Sequence, residues 1–179
     1  MLFRSLTPHA DGAWDLPPGA LLLKAFGLPL TSSTPTPVEL RLMLRGDGGW
    51  SFASYDALTG ARIPDLGAEA AFPLHDGTTL PWLYPSLLGC QVCHRVAGAE
   101  AIALNNPQIH RDVLLDGARV AQLPALDAIG LFDPPMASLR PTPTLGAPHP
   151  SLDDRARAFL HANCAHCHQP GGFVPPDQP

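Results

Sequence analysis

Hydrophobic and polar positions fall into two textures along the chain. Over residues 1 to about 80 the apolar residues alternate with polar ones or come in short runs, which predicts strands. In "VELRLMLRGDGGWSFASYDA", Val38, Leu40, Leu42 and Leu44 share one face of an extended chain. Glu39, Arg41, Met43 and Arg45 share the other, so one side is expected in a core and the other mostly in water. Gly46, Asp47, Gly48 and Gly49 separate the two arms, a hairpin signal in which glycine supplies the positive φ of the turn. Upstream, "GALLLKAFGLPL" predicts a short buried strand stopped by Gly27 and Pro29.

From Pro81 the pattern loosens. "PWLYPSLLGCQVCHRVAGAEAIALNNPQIHRD" and "GARVAQLPALDAIGLF" place apolar residues at roughly helical spacing, the latter around Pro124, and predict short helices joined by loops. The proline-rich stretch 133–150 predicts an extended surface crossing. Ser151 followed by Asp154 three residues on predicts a capping box, and "LDDRARAFLHAN" carries that helix into a pair of cysteines. Its Phe159 and Leu160 are expected to face a core or a bound group.

Composition narrows the options. With 179 residues, 45% of them apolar, the chain can bury a core. It holds 22 prolines, 16 glycines and only 15% charged residues, which favours turns and wrapped loops over long helices. A net charge of −5, with 16 acidic against 11 basic residues and no basic run, gives no phosphate-tracking surface, so no nucleic-acid partner is expected. The longest apolar stretch is broken by Lys24, Gly27 and Pro29, and no run approaches the roughly 20 residues a membrane-spanning helix requires. The first residues lack the apolar core of a secretory signal. Taken literally, that points to cytoplasm, a reading the chemistry below opposes.

All four cysteines lie in CxxC pairs, each followed at once by histidine: Cys90, Cys93 and His94, then Cys164, Cys167 and His168. CxxCH is the signature of covalent c-type haem attachment. Thiols three positions apart can reach the two vinyl groups on one porphyrin edge while the adjacent imidazole turns beneath the ring to bind iron. A four-cysteine zinc site uses the same pairs at a usual separation of about 15 to 20 residues and gives no reason for the histidines. Here the pairs lie much further apart. With 8 histidines in 179 positions, random composition places histidine after both pairs about 0.2% of the time.

Covalent haem attachment belongs to the outer side of an energy-transducing membrane, whereas paired thiols in a reducing cytosol more often serve zinc or redox turnover. The expected location is therefore the periplasm or cell envelope, with a signal peptide upstream of this segment. Each iron would take a sixth ligand that sets its potential. Met136, in a proline-rich loop, His110, in "PQIHRD", and His161, one turn before Cys164, are the candidates; Met43 is the other internal methionine. His9, His75, His149 and His166 read as surface or spacer residues. Trp82 and Tyr84, just before the first motif, fit either a porphyrin edge or ordinary core packing.

The run "DDRARAFLHANCAHCHQPGG" resembles the second haem segment of a bacterial family of exported dihaem cytochromes c, with its "RARAYL…NCxHCHxPGG" pattern. "WDLPPGALLLKAFGLP", "VELRLMLRGDGGWSFASYD", the first CxxCH, "ALNNPQIHRD" and "LPALDAIGLF" resemble earlier blocks of that family in the same order. The resemblance implies an α+β chain: a β-rich, sandwich-like scaffold over 1–80, a first haem c segment over 81–133, a proline-rich linker over 134–150, and the start of a second cytochrome c domain over 151–179. It implies two covalently held haems c, with Cys90, Cys93, His94, Cys164, Cys167 and His168 as the residues that carry over. The family continues past its second CxxCH, so this sequence is expected to be an excerpt lacking signal and C-terminal helices. Related regions joined to quinoprotein sugar dehydrogenases imply a redox partner of that kind, or a terminal electron acceptor.

The expected function is single-electron transfer in the periplasm, without catalysis of its own. Two rivals stay open: a haem enzyme of peroxidase type with a displaceable axial position, and a structural zinc-binding CxxC module. No Ser-His-Asp order, phosphate loop or paired-carboxylate site is present in the sequence.

Overall fold

The computed structural model describes residues 5–8, 14–94, 104, 106–136, 151–165, 167–168 and 174. In chain order the strands of the first half are β1 (Thr7–Pro8), β2 (Trp14–Asp15), β3 (Leu21–Leu28), β4 (Thr36–Gly46), β5 (Gly49–Asp56), β6 (Ala68–Pro73) and β7 (Thr79–Tyr84). They are followed by α1 (Leu87–His94), α2 (Asn106–Ile109), β8 (Asp112–Leu115), β9 (Ala118–Ala121), α3 (Gln122–Ala128) and α4 (Leu152–Asn163). Among the described residues every pairing between these strands is antiparallel, in sheets of two or three strands. The class is α+β. Among the described residues no helix is long and apolar enough to cross a membrane.

Contacts divide the chain into two compact units: Pro18–Val92, and Met1–Pro17 together with Cys93–Pro179. The first is a β unit. Its β3-β4-β5 sheet runs in the register Leu21↔Leu44 and Leu40↔Tyr55, and the predicted hairpin closes at Gly46↔Gly49 over Asp47 and Gly48. The positive φ of that turn falls on Gly49.

Burial within the sheet departs from the expected alternation. Val38 and Glu39 are both fully buried, while Leu44 is half exposed and Leu21 and Leu23 of β3 are about 60% exposed, at 59% and 61%. "GALLLKAFGLPL" therefore forms a strand as expected, but not a buried one. The cause is the β6–β7 hairpin, which supplies Phe72 and Tyr84 to a core with Val38 and Ile63. Trp82 on β7 donates its indole N–H to Glu39 Oε2 at 3.0 Å. Arg41 adds two bonds to the same carboxylate at 2.7 and 3.0 Å. The nominally wet face of β4 is thus covered at Glu39, where a carboxylate with three donors can be buried without an orphaned charge. Strand β7 also takes in Pro81–Tyr84, residues expected among the helices. Gly67 permits the close approach to it: at φ 82° a side chain there would meet the Tyr84 carbonyl oxygen at 2.6 Å.

The second unit is built on Trp14, Leu123 and Phe132. The rings of Trp14 and Phe132 meet edge to face at 4.8 Å. Leu6 is clamped beside them, its N–H donating to the Leu131 carbonyl at 2.8 Å and its own carbonyl accepting from Asp133 N–H at 2.9 Å. Residues 118–121, inside a stretch expected to hold short helices joined by loops, pair with Asp112–Leu115 as the β8–β9 hairpin instead. Its two-residue turn, Asp116 and Gly117, has φ of 50° and 79°, the mirror-image turn whose twist matches paired strands. Helix α3 follows with Pro124 in its first turn, where the missing N–H has no partner to lose.

Helix α4 begins as expected. Ser151 Oγ accepts from the Asp154 N–H at 3.1 Å and the Asp154 carboxylate accepts from the Ser151 N–H at 3.3 Å. Its apolar face is not packed in a protein core: Phe159 is 64% and Leu160 56% exposed, so of the two expected settings, a core or a bound group, the core is not the one observed. Residues 137–150 of the proline-rich stretch lie outside the described residues.

Candidate cofactor-attachment site

The first motif rides on α1. Ser86 Oγ accepts from the Gly89 N–H at 3.1 Å, and the Ser86 carbonyl accepts from the Cys90 N–H at 3.0 Å, which starts the helix. Cys90 and Cys93, three positions apart on that helix, fall on one face, and His94 is its last residue. Neither cysteine is in a disulfide, and both are half-buried. Leu88 and Val92 on the same helix are exposed at 70% and 39%. Cys90 also lines a small, open surface cleft with Phe52, Ser54, Ile63 and Pro85.

The second motif sits in a turn rather than a helix. Asn163 ends α4, its side-chain amide donating to the Phe159 carbonyl at 2.8 Å. The Cys164 carbonyl then accepts from both Cys167 N–H, at 3.0 Å, and His168 N–H, at 2.9 Å. That closes the turn so the two thiols and the imidazole leave one short loop. Cys164 and Cys167 are free and half-buried, and His168 is exposed.

The structure brings the two motifs together at one point. The Cys93 and Cys167 side chains are within hydrogen-bonding reach of each other. Burial, and next the neighbouring Cys167, push the Cys93 thiol above its ordinary range. Nothing in the sequence marks this pair, because the contact depends on how distant segments fold.

Other candidates land elsewhere. Met136 packs against the Trp14, Leu123 and Phe132 cluster, and its N–H donates to Asp127 Oδ1 at 2.9 Å, so its placement is accounted for by core packing. His110 is half-buried between α2 and β8, and His161 is exposed on the last turn of α4. Met43 lies half-buried in β4. Tyr84 is buried and donates to the Val38 carbonyl at 3.3 Å, and Trp82 is committed to Glu39, so both aromatics serve the β core. His75 is exposed, with Nδ1 3.3 Å from the Pro29 carbonyl. His9, His149 and His166 lie outside the described residues. Among the described residues no three His, Cys, Asp or Glu side chains converge as a metal-ion site.

The donor chemistry fits a c-type haem: in each motif two half-buried cysteines outside any disulfide spaced three apart, an imidazole next to each pair, and exposed apolar side chains on the elements that carry them. No family model, curated protein or solved structure matches the chain.

Proposed function

We propose that the protein is a dihaem c-type cytochrome that carries single electrons in the bacterial periplasm or cell envelope. The observation that carries the reading is that every cysteine stands in a CxxCH motif and is a half-buried residue outside any disulfide. Cys90 and Cys93 would hold one group and Cys164 and Cys167 the other, each thiol adding across a vinyl group to give a thioether, with His94 and His168 offering an imidazole nitrogen to iron. When bound, the haems supply a one-electron iron couple. The chain's own part is to fix the rings, to shield them with Leu88, Val92, Phe159 and Leu160, and so to restrain water near the redox centre. The resemblance to exported dihaem cytochromes supports this reading, and a dehydrogenase of quinoprotein type is the proposed electron donor.

One observation favours a second reading. The contact between Cys93 and Cys167 also suits two CxxC turns approaching one zinc ion. A reduced pyridine haemochrome spectrum, with the haem-to-protein ratio and a zinc assay, separates the two. The chain is to be exported into a periplasm that contains the haem-attachment machinery. Two haems per chain with a c-type spectrum is the expected result. A colourless protein holding zinc would overturn the proposal.

A further inference from the structure

The β3-β4-β5 sheet ends on β3 at one side and on β5 at the other. On β5 the Ser54 carbonyl accepts from the Ile63 N–H at 2.8 Å and the Asp56 N–H donates to the Ala61 carbonyl at 2.9 Å, so residues 61–63 cover that edge. On β3 the direction of each backbone group follows from two bonds. Arg45 N–H donates to the Ala20 carbonyl and Ala57 N–H to the Val38 carbonyl, which turns the odd-numbered residues of β4 toward β3 and the even-numbered ones toward β5. In the register Leu21↔Leu44, Leu22 and Lys24 then face β4, and Leu21, Leu23 and Ala25 point their N–H and C=O groups away from the sheet. Among the described residues no backbone hydrogen bond reaches those three from that side. Their side chains are exposed too, Leu21 at 59% and Leu23 at 61%.

We propose that this edge is a self-association site, where Leu21–Ala25 of one copy pairs antiparallel with the same segment of a second copy across a twofold axis at Leu23. An open edge is completed by an extended segment that brings unpaired N–H and C=O groups of its own, and the second copy carries one. Centring on Leu23 sets Leu23 against Leu23 and Leu21 against Ala25, so every outward N–H and C=O of the three residues finds its counterpart. On the other face Leu22 stands across from Lys24, and the two lysines are not directly opposed. Lys24 does not guard the edge, because its Nζ lies 4.7 Å from the centroid of the Phe26 ring on its own strand. The positive φ of Gly19 and the register shift between Phe26 and Gly27 end the regular segment on both sides. At about 3.3 Å per residue the paired stretch is about 17 Å long. That is well short of a standard interface, so the pair forms reversibly, at micromolar concentrations or above. The site does not depend on the haem reading.

The test is sedimentation equilibrium of the full chain, with a reductant present so that no disulfide links two copies. The average mass is expected to climb from one chain toward two as the concentration rises from low to high micromolar. Amide exchange read residue by residue is the second measurement. In the dilute chain Leu21, Leu23 and Ala25 should exchange fast beside protected Leu22 and Lys24, and in the concentrated chain all five should be protected. Leu23→Lys sets two lysines against each other at the axis and should weaken association at least about tenfold. Leu23→Pro removes an N–H that β4 does not use, so the chain should keep its far-UV circular dichroism and lose the dimer. Leu66→Lys, at a leucine 93% exposed and outside the strands, should leave association unchanged. A mass that stays at one chain, a dimer that survives both Leu23 variants, alternate exchange that ignores concentration, or an equal loss in Leu66→Lys would each overturn the proposal. None of these outcomes bears on the haemochrome result, so the two readings fail separately.

Discussion

In the β unit a glutamate, Glu39, is fully buried, whereas on α4 a phenylalanine, Phe159, is 64% exposed. Each stands where simple patterning would put the other. Glu39 is tolerated because three donors replace the water its carboxylate loses: Arg41 twice and the Trp82 indole once. Arg41 is itself held over the Phe26 ring, 4.3 Å from its centroid, and Phe26 and Phe72 both meet Trp82 edge to face. That region is complete with its own residues. Phe159 is mostly exposed, and with Leu160 it leaves an apolar face on the helix that leads into the second CxxCH. The contrast separates a part of the chain that satisfies itself from a part whose surface suits a bound group.

The largest effect should come from breaking the Glu39 network. Arg41→Met leaves a fully buried carboxylate with the Trp82 N–H as its remaining side-chain donor, and should lower stability by about 3 to 5 kcal/mol, the cost of unpairing a buried ion. Glu39→Gln keeps an acceptor for the indole and removes the charge, so it should cost less, about 2 kcal/mol. Urea denaturation of both variants checks the order. A neutral Arg41→Met would show that the network is not what holds the β unit.

Next comes Tyr84. Its burial, with added repulsion from the Asp56 and Glu39 carboxylates, pushes the phenol above its ordinary value of 10.0. A folded-state value raised above the unfolded one means that this stabilisation is complete below about pH 10 and is lost as the pH climbs through the folded value. Tyr84→Phe removes the bond to the Val38 carbonyl and should cost about 1 kcal/mol near neutral pH. It should also flatten the alkaline loss of stability, which unfolding midpoints measured from pH 8 to 11 would reveal.

The legible parts of this fold were those set by neighbours in sequence. The hairpin over residues 46–49 follows from turn residues between two alternating arms, and the Ser151 capping box from a spacing of three. The β8–β9 hairpin was also legible in principle, since Asp116-Gly117 is a strong two-residue turn signal. The near-helical spacing around Pro124 drew attention away from it. Glu39 was not legible: β4 alternates in sequence as expected, but what covers its polar face depends on a hairpin that begins at Ala68, and that packing buries Glu39 as fully as Val38 on the other face. The motifs themselves were plain in the sequence. The meeting of Cys93 with Cys167 was not, because no local rule relates two segments so far apart.

Ser151→Ala tests the start of the exposed helix. It removes the side-chain acceptor for the Asp154 N–H and should cost about 1 kcal/mol of α4 stability. Faster amide exchange at Asp154 than in the parent chain is the expected readout. The neighbouring Asp153–Arg157 pair, at 2.8 Å but with both side chains more than 70% exposed, should matter less, as surface ion pairs usually do.

The smallest effect, and the one that sharpens the comparison most, is Phe159→Ala. In the haem-free chain the ring is mostly in water, so its removal should change stability by no more than about 0.5 kcal/mol, as at other exposed sites. If the apolar face of α4 shields a bound haem, the same substitution made in the haem-loaded chain removes buried rather than exposed surface. It should then cost about 1 to 3 kcal/mol, in proportion to the apolar area withdrawn from water. Denaturation of both forms, with and without the substitution, gives the difference directly. Equal and negligible effects in the two forms would mean that Phe159 stays in solvent whatever the motif holds, and that the exposed face of α4 belongs to some other contact.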